Sequence, residues 1–145
     1  MEQEYPFVIL VIDDEPPISD VLTHVAKDSF PEAVFINVRS AGETMDYLDQ
    51  HPNNLPQLVL LDIDLHQYPN GLDLLPELHA RFRGLVPIVM LTVSQEQDAI
   101  RKAIVSGAVA FTRKPDDLAG WKAYATMLRQ YWYQTARVPT REDVD

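Results

Sequence analysis

Four short stretches of this chain gather side chains suited to oxygen and phosphate chemistry: Asp13-Asp14-Glu15, Asp62-Ile63-Asp64, Thr92-Val93-Ser94 and Arg113-Lys114-Pro115. Taken singly, each is weak. An aspartate after a strand is commonly a helix N-cap. Brought to one place they would make a different object. Several carboxylates in one crevice raise each other's pKa, and a hard cation bound by oxygen, such as Mg²⁺, relieves that conflict. A hydroxyl and an ammonium beside it suit phosphoryl oxygens. Asp62 then serves as nucleophile and forms an acyl phosphate. Asp13 and Asp14 hold the Mg²⁺, one directly and one through water. Thr92 bonds the phosphoryl group, and Lys114 pairs with Asp62 and then with the phosphate.

That outcome requires elements that bring the four stretches together. Phe7 to Ile12 is a continuous apolar run, as in a strand buried on both faces. Ile18, Val21, Leu22, Val25 and Ala26 follow at helical spacing. Ala33 to Val38 is a second β-prone run, and Ser40-Ala41-Gly42-Glu43 has the form of a capping box opening a second helix. Leu58 to Leu61 is a third strand. Leu72 to Phe82 is a third helix, with Pro76 expected to kink it. Ile88 to Leu91 is a fourth strand, Gln95 to Val105 a fourth helix, Val109 to Thr112 a short fifth strand, and Leu118 to Tyr133 a long last helix. Strand then helix, five times over, predicts an α/β fold: a five-stranded parallel sheet, doubly wound, over residues 6–135, with a polar tail over 136–145. In such sheets ligands bind beyond the carboxyl ends of the strands. All four stretches are placed there.

Composition narrows the function classes. A chain of 145 residues with 46% apolar side chains supports one domain with a proper core. Cysteine is absent, which excludes disulfides and thiolate metal sites. The formal charge of -10, without a basic cluster, disfavours nucleic acid and anionic membrane surfaces. No run approaches membrane-spanning length, and the first residues lack the form of a signal peptide. A cytoplasmic location is expected.

From about Phe7 to about Tyr133 the chain resembles the receiver domain of two-component response regulators, a flavodoxin-like fold. It carries the acidic pair Asp13-Asp14, the acceptor Asp62, the hydroxyl residue Thr92 and the Lys114-Pro115 step. The resemblance implies Mg²⁺-dependent phosphoryl transfer from a sensor histidine kinase or a phosphotransfer protein. It implies a backbone carbonyl of Asp64 on the metal and a cis peptide before Pro115. It also implies an aromatic switch residue, Phe111, that follows Thr92 inward and reshapes the face of the fourth helix, fifth strand and fifth helix. Such a protein is not an enzyme in the ordinary sense; it catalyses only its own phosphorylation and dephosphorylation.

Three departures stand out. The family usually has proline four residues after the acceptor and glycine eight after it. Here position 66 is His, and Gly71 lies one residue late. The loop is expected to be remodelled, with His66 overhanging the site. Val93 replaces the usual small residue and is expected to shield the phosphoryl group and slow its hydrolysis. Phe111 lacks the hydroxyl of the tyrosine often found there.

Because the receiver consumes nearly the whole chain, signal is expected to leave through contacts with a downstream protein. The last helix is aromatic: Leu118, Trp121, Ala125, Leu128 and Trp132 form one stripe, expected to face the core. Tyr124, Met127 and Tyr131 form a second, read either as snorkelling side chains or as an interface. The ending Tyr131-Trp132-Tyr133 with Val138-Pro139 is similar to single-domain regulators partnered with bacterial phytochromes, which implies a homodimer. Two rival readings are a receiver that binds partners without phosphorylation, and a haloacid-dehalogenase-like phosphatase, whose nucleophile strand also ends in Asp-x-Asp. The second lacks a later acidic pair in the right place.

Overall fold

The computed structural model describes residues 6–93 and 96–135. The predicted tail over 136–145, with Val138 and Pro139, lies outside them, as do Ser94 and the expected start of the fourth helix at Gln95. The elements run β1 (Phe7–Ile12), α1 (Pro16–Ser29), β2 (Ala33–Val38), α2 (Ala41–Gln50), β3 (Leu58–Leu61), α3 (Gly71–Phe82), β4 (Ile88–Thr92), α4 (Gln97–Val105), β5 (Ala110–Arg113) and α5 (Leu118–Leu128), followed by a π-helical segment, Arg129–Thr135.

All strand pairings are parallel, in the order β2-β1-β3-β4-β5. This is the doubly wound order of flavodoxin-like folds. Alternate side chains of each strand enter opposite layers. Leu10, Ile12, Val59, Leu61, Ile88 and Met90 pack with Leu48, Leu74, Leu78 and Phe82. Ile9, Val11, Leu58, Leu60, Val89 and Leu91 pack with Leu22, Val25, Trp121, Ala125 and Leu128. Burial on both faces explains why these strands read as unbroken apolar runs.

The register brings the strand ends together. Ile12 pairs with both Val38 and Leu61, Leu61 with Met90, and Thr92 with Arg113. The next residues of β1 and β3, Asp13 and Asp62, therefore emerge side by side.

Several boundaries differ from the sequence expectation. The third helix begins at Gly71, where Asn70 and Asp73 cap each other reciprocally, and it continues through Pro76. At the second helix Ser40 accepts from the Glu43 amide, but the Glu43 carboxylate reaches the Arg39 amide instead of that of Ser40. The fifth strand runs one residue later than expected, because its ladder with β4 extends to Arg113. α5 ends at Leu128. The π-helical turn beyond it lets Arg129 grip Glu32 through two bonds of 2.7 and 2.8 Å, and Tyr133 packs on Phe7 and Phe30. Leu118 is half exposed, as the first residue after the Asp117 cap, and Tyr124 is buried, so the two aromatic stripes do not divide as the periodicity implied. Among the described residues no helix is long and apolar enough to cross a membrane.

Candidate functional site

Asp13, Asp62, Thr92 and Lys114 are all buried at the carboxyl ends of β1, β3, β4 and β5. A buried charge needs a partner, and here the partner is Lys114. Its Nζ lies 2.7 Å from Asp13 Oδ2, 3.0 Å from Asp62 Oδ2 and 3.5 Å from Glu15 Oε1. Burial pushes the Lys114 pKa down, but hydrogen bonding and charge from Asp13 and Asp62 outweigh it, and the net shift is upward. Lys114 stays an ammonium. For Asp13, burial prevails over Lys114 and raises its pKa. One cation does not balance the carboxylates gathered around it.

Strand geometry accounts for the placement. The Asp62 amide donates to Ile12 O at 3.0 Å, and the Lys114 amide to Thr92 O at 3.0 Å, so the ladders continue past the regular strands and fix both backbones. Asp62 Oδ1 accepts from the Asp64 amide at 3.2 Å. The cis peptide implied before Pro115 is absent; the cis bond among the described residues is Tyr68–Pro69. Lys114 reaches the carboxylates from a trans peptide.

Asp13, Asp14, Glu15 and Asp62 each place a carboxylate oxygen within 4.8 Å of the others. Two oxygens test whether a metal fits. Asp14 Oδ1 is buried and accepts no hydrogen bond, and Asp13 Oδ2 has the Lys114 ammonium, 2.7 Å away, as its partner. An orphaned anionic oxygen such as Asp14 Oδ1 is costly, and a divalent cation would satisfy it while sharing Asp13 with Lys114. The all-oxygen donor set suits a hard ion. Glu15, named in the first stretch but given no role there, is an additional member of this group. Its place directly after the acidic pair was the available signal.

The loop after β3 carries a left-handed residue, His66, and the cis Tyr68–Pro69 peptide. His66 overhangs the site with Nδ1 2.8 Å from Asp14 Oδ2 and Nε2 3.3 Å from Asp64 Oδ2. Hydrogen bonding and charge from Asp14, with Asp64 behind it, raise its pKa. The Asp64 side chain thus turns to His66, and its Oδ1 caps the His66 amide. A cleft of about 450 Å³ opens beside the site, lined by Asp14, Arg39, Glu43 and His66 among others. Val93 is 70% exposed. Phe111 is half-buried against the layer that contains Met90 and Ala103. Next to it, Thr112 Oγ1 donates to Met90 O at 2.7 Å and meets the Tyr124 hydroxyl at 2.9 Å. Sequence periodicity carried no signal for that contact.

A family model for the response regulator receiver domain matches residues 9–138. The transcriptional regulatory protein CitT of Halalkalibacterium halodurans is 29% identical over 109 residues, covering 75% of this chain and 46% of CitT. The chain thus spans about half the length of that relative. The response regulator Rcp1 of Synechocystis is 25% identical over 143 residues, 95% of this chain and 97% of Rcp1. Among solved structures, the phosphorylated cyanobacterial phytochrome response regulator RcpA superimposes with a TM-score of 0.82 at 23% identity, covering 93% of this chain and 99% of RcpA. The Mn²⁺-bound form of Rcp1 gives 0.80 at 24% identity, covering 93% and 100%. These two superpositions establish likeness of fold.

Proposed function

Since the chain belongs to the response regulator receiver family of two-component signalling, we propose that it accepts a phosphoryl group on Asp62 from the phosphohistidine of a sensor histidine kinase or phosphotransfer protein. The observation that carries this reading is the buried Asp62 carboxylate, held 3.0 Å from Lys114 Nζ inside a group of carboxylates in which Asp14 Oδ1 is unsatisfied.

Receiver domains are signalling domains, and the chemistry assigned here is limited to self-phosphorylation and self-dephosphorylation. An Asp62 oxygen attacks phosphorus, the P–N bond to the donor imidazole breaks, and an acyl phosphate remains on Asp62. Lys114 holds the carboxylate before transfer and a phosphoryl oxygen after it. Thr92 bonds the phosphoryl group. Asp13 and Asp14, with Asp62 and the Asp64 carbonyl, would hold Mg²⁺, which when bound neutralises charge developing on the phosphoryl oxygens.

The same reading assigns the output. Thr92 moves toward the phosphoryl group and Phe111 follows, a packing change without a hydroxyl. The surface of α4, β5 and α5 is then reshaped, and Ile104, Val105, Val109 and Leu118 stand exposed on or beside it for a downstream protein. The likeness to the phytochrome response regulator RcpA supports a kinase of the phytochrome class; the same reading includes a cytoplasmic location and a homodimer formed through the C-terminal aromatic end, where Tyr131 is exposed.

Intact-protein mass after incubation with acetyl phosphate and Mg²⁺ tests the chemistry. The expected result is one phosphoryl adduct that requires Mg²⁺ and is absent from Asp62→Asn. No adduct on the wild-type protein would overturn the reading and leave a partner-binding receiver.

A further inference from the structure

We propose that His66 is a positioning residue for the metal site, clamping Asp14 so that its second oxygen faces the cation. This inference rests on the metal-binding reading above and extends it to a residue outside the acidic cluster.

The two oxygens of Asp14 are in different states. Oδ2 is 2.8 Å from His66 Nδ1. Oδ1 is buried and has no hydrogen bond. An Asp carboxylate turns freely about two torsions unless something fixes one of its oxygens. Here His66 does so through Oδ2, which leaves the orphaned Oδ1 as the oxygen Asp14 can offer to a cation beside Asp13, Glu15 and Asp62. Another partner is close at hand. Arg39 Nη2 already bonds the Asp14 main-chain oxygen at 3.3 Å. Released from His66, the carboxylate can turn toward that guanidinium, and its charge is withdrawn from the site.

His66 is itself held in place from the scaffold side. Its backbone is left-handed, with φ 58°. That region is disfavoured for a residue with a Cβ and persists where the surroundings enforce it. The enforcing contacts are visible. Asp64 Oδ1 accepts the His66 amide at 2.9 Å, and Asp64 Oδ2 lies 3.3 Å from the ring Nε2. The neighbouring Leu65 amide donates to the side chain of Asn70, the cap of α3. A rigid helix thus fixes the loop, the loop fixes the ring, and the ring fixes the ligand. Hydrogen-bonded outer partners of this kind orient ligands, and losing one costs about 10- to 100-fold in metal affinity. A charged imidazole would also repel the cation, but the ring is 61% exposed, so water screens that effect.

The test is Mn²⁺ binding without any phosphodonor, followed by the electron paramagnetic resonance signal of free Mn²⁺. His66→Ala is expected to bind Mn²⁺ about tenfold more weakly than the wild type. His66→Asn tolerates the left-handed backbone, retains an N–H donor and is expected to restore most of the affinity. Melting temperatures in EDTA should agree among the three proteins, which separates positioning from folding. His66→Ala binding within twofold of the wild type, or more tightly, would overturn the assignment while leaving the metal site intact. A wild-type protein that does not bind Mn²⁺ would overturn the metal site, and this assignment with it.

Discussion

Gly71 abuts the main chain of Asp62 so closely that a Cβ there would stand 1.9 Å from the Asp62 carbonyl oxygen and 2.7 Å from that of Ile63. The first turn of α3 is therefore seated directly on the acceptor, and the Gly71 amide donates to Ile63 O at 2.9 Å. The need for glycine here is one of space, since backbone atoms cannot give way as a flexible side chain would.

Gly71→Ala is accordingly expected to destabilise the protein by about 3 kcal/mol through overpacking, read from urea denaturation. The same displacement should slow adduct formation with acetyl phosphate, because the Asp62 backbone must shift. A variant within about 0.5 kcal/mol of wild type, the range of ordinary surface substitutions, would refute the close contact.

Lys114 is the cation among the described residues that touches both Asp13 and Asp62. Lys114→Met fills much of the same space but leaves two buried carboxylates facing each other. Breaking a buried pair in this way costs about 3 kcal/mol, and chemical denaturation in EDTA should show a loss of that order. Saturating Mg²⁺ should raise the melting temperature of the variant more than that of the wild type, since a bound cation replaces the missing charge and stabilises only the folded state. Equal gains would mean that Lys114 and the metal do not share these carboxylates.

Much of this architecture was legible in the sequence, for identifiable reasons. Strands buried on both faces leave unbroken runs such as Phe7 to Ile12, and α1 leaves a clean helical period. Once the sheet is parallel, Asp13, Asp62, Thr92 and Lys114 must share one rim. What stayed hidden depends on side-chain direction. Leu118 and Tyr124 lie on helical stripes by spacing, yet the Asp117 cap leaves Leu118 at the solvent, and Thr112 draws Tyr124 inward. The Glu32–Arg129 contact that accompanies the π-helical turn after Leu128 spans 97 residues, and no local pattern encodes it. The His66–Asp14 contact spans 52 residues and was expected only as an overhang.

The Glu32–Arg129 pair sets a pH dependence. Hydrogen bonding to Arg129 lowers the Glu32 pKa from its ordinary value of 4.5, against a smaller opposing effect of burial. A lowered carboxyl pKa means that the pair's stabilisation is fully present above that value and is lost as pH falls through the lowered one. The pair is bidentate but partly solvated, so Glu32→Gln should cost about 1 kcal/mol at neutral pH. The gap between variant and wild type should shrink as pH falls below 4.5 and close once Glu32 is protonated in the folded state. A gap that persists unchanged into strong acid would assign the stabilisation to packing of Arg129 on Tyr133.

Tyr124 offers a spectroscopic check on the packing of α5 against the sheet. Burial pushes its phenol up to about 12, with the bond to Thr112 acting weakly the other way. An acid with a raised folded pKa stays protonated in the native state after the unfolded chain has ionised. Native stability should thus fall as pH rises above 10.0, the ordinary value. In an absorbance titration of the native protein the Tyr124 phenol should ionise near 12, and the late step should lose one tyrosine in Tyr124→Phe. The substitution keeps the ring and leaves Thr112 its bond to Met90 O, so the stability cost should be about 1 kcal/mol, that of one buried hydrogen bond. If the late step survives undiminished in Tyr124→Phe, another phenol is the buried one, and the seat of α5 on β5 is not the one described.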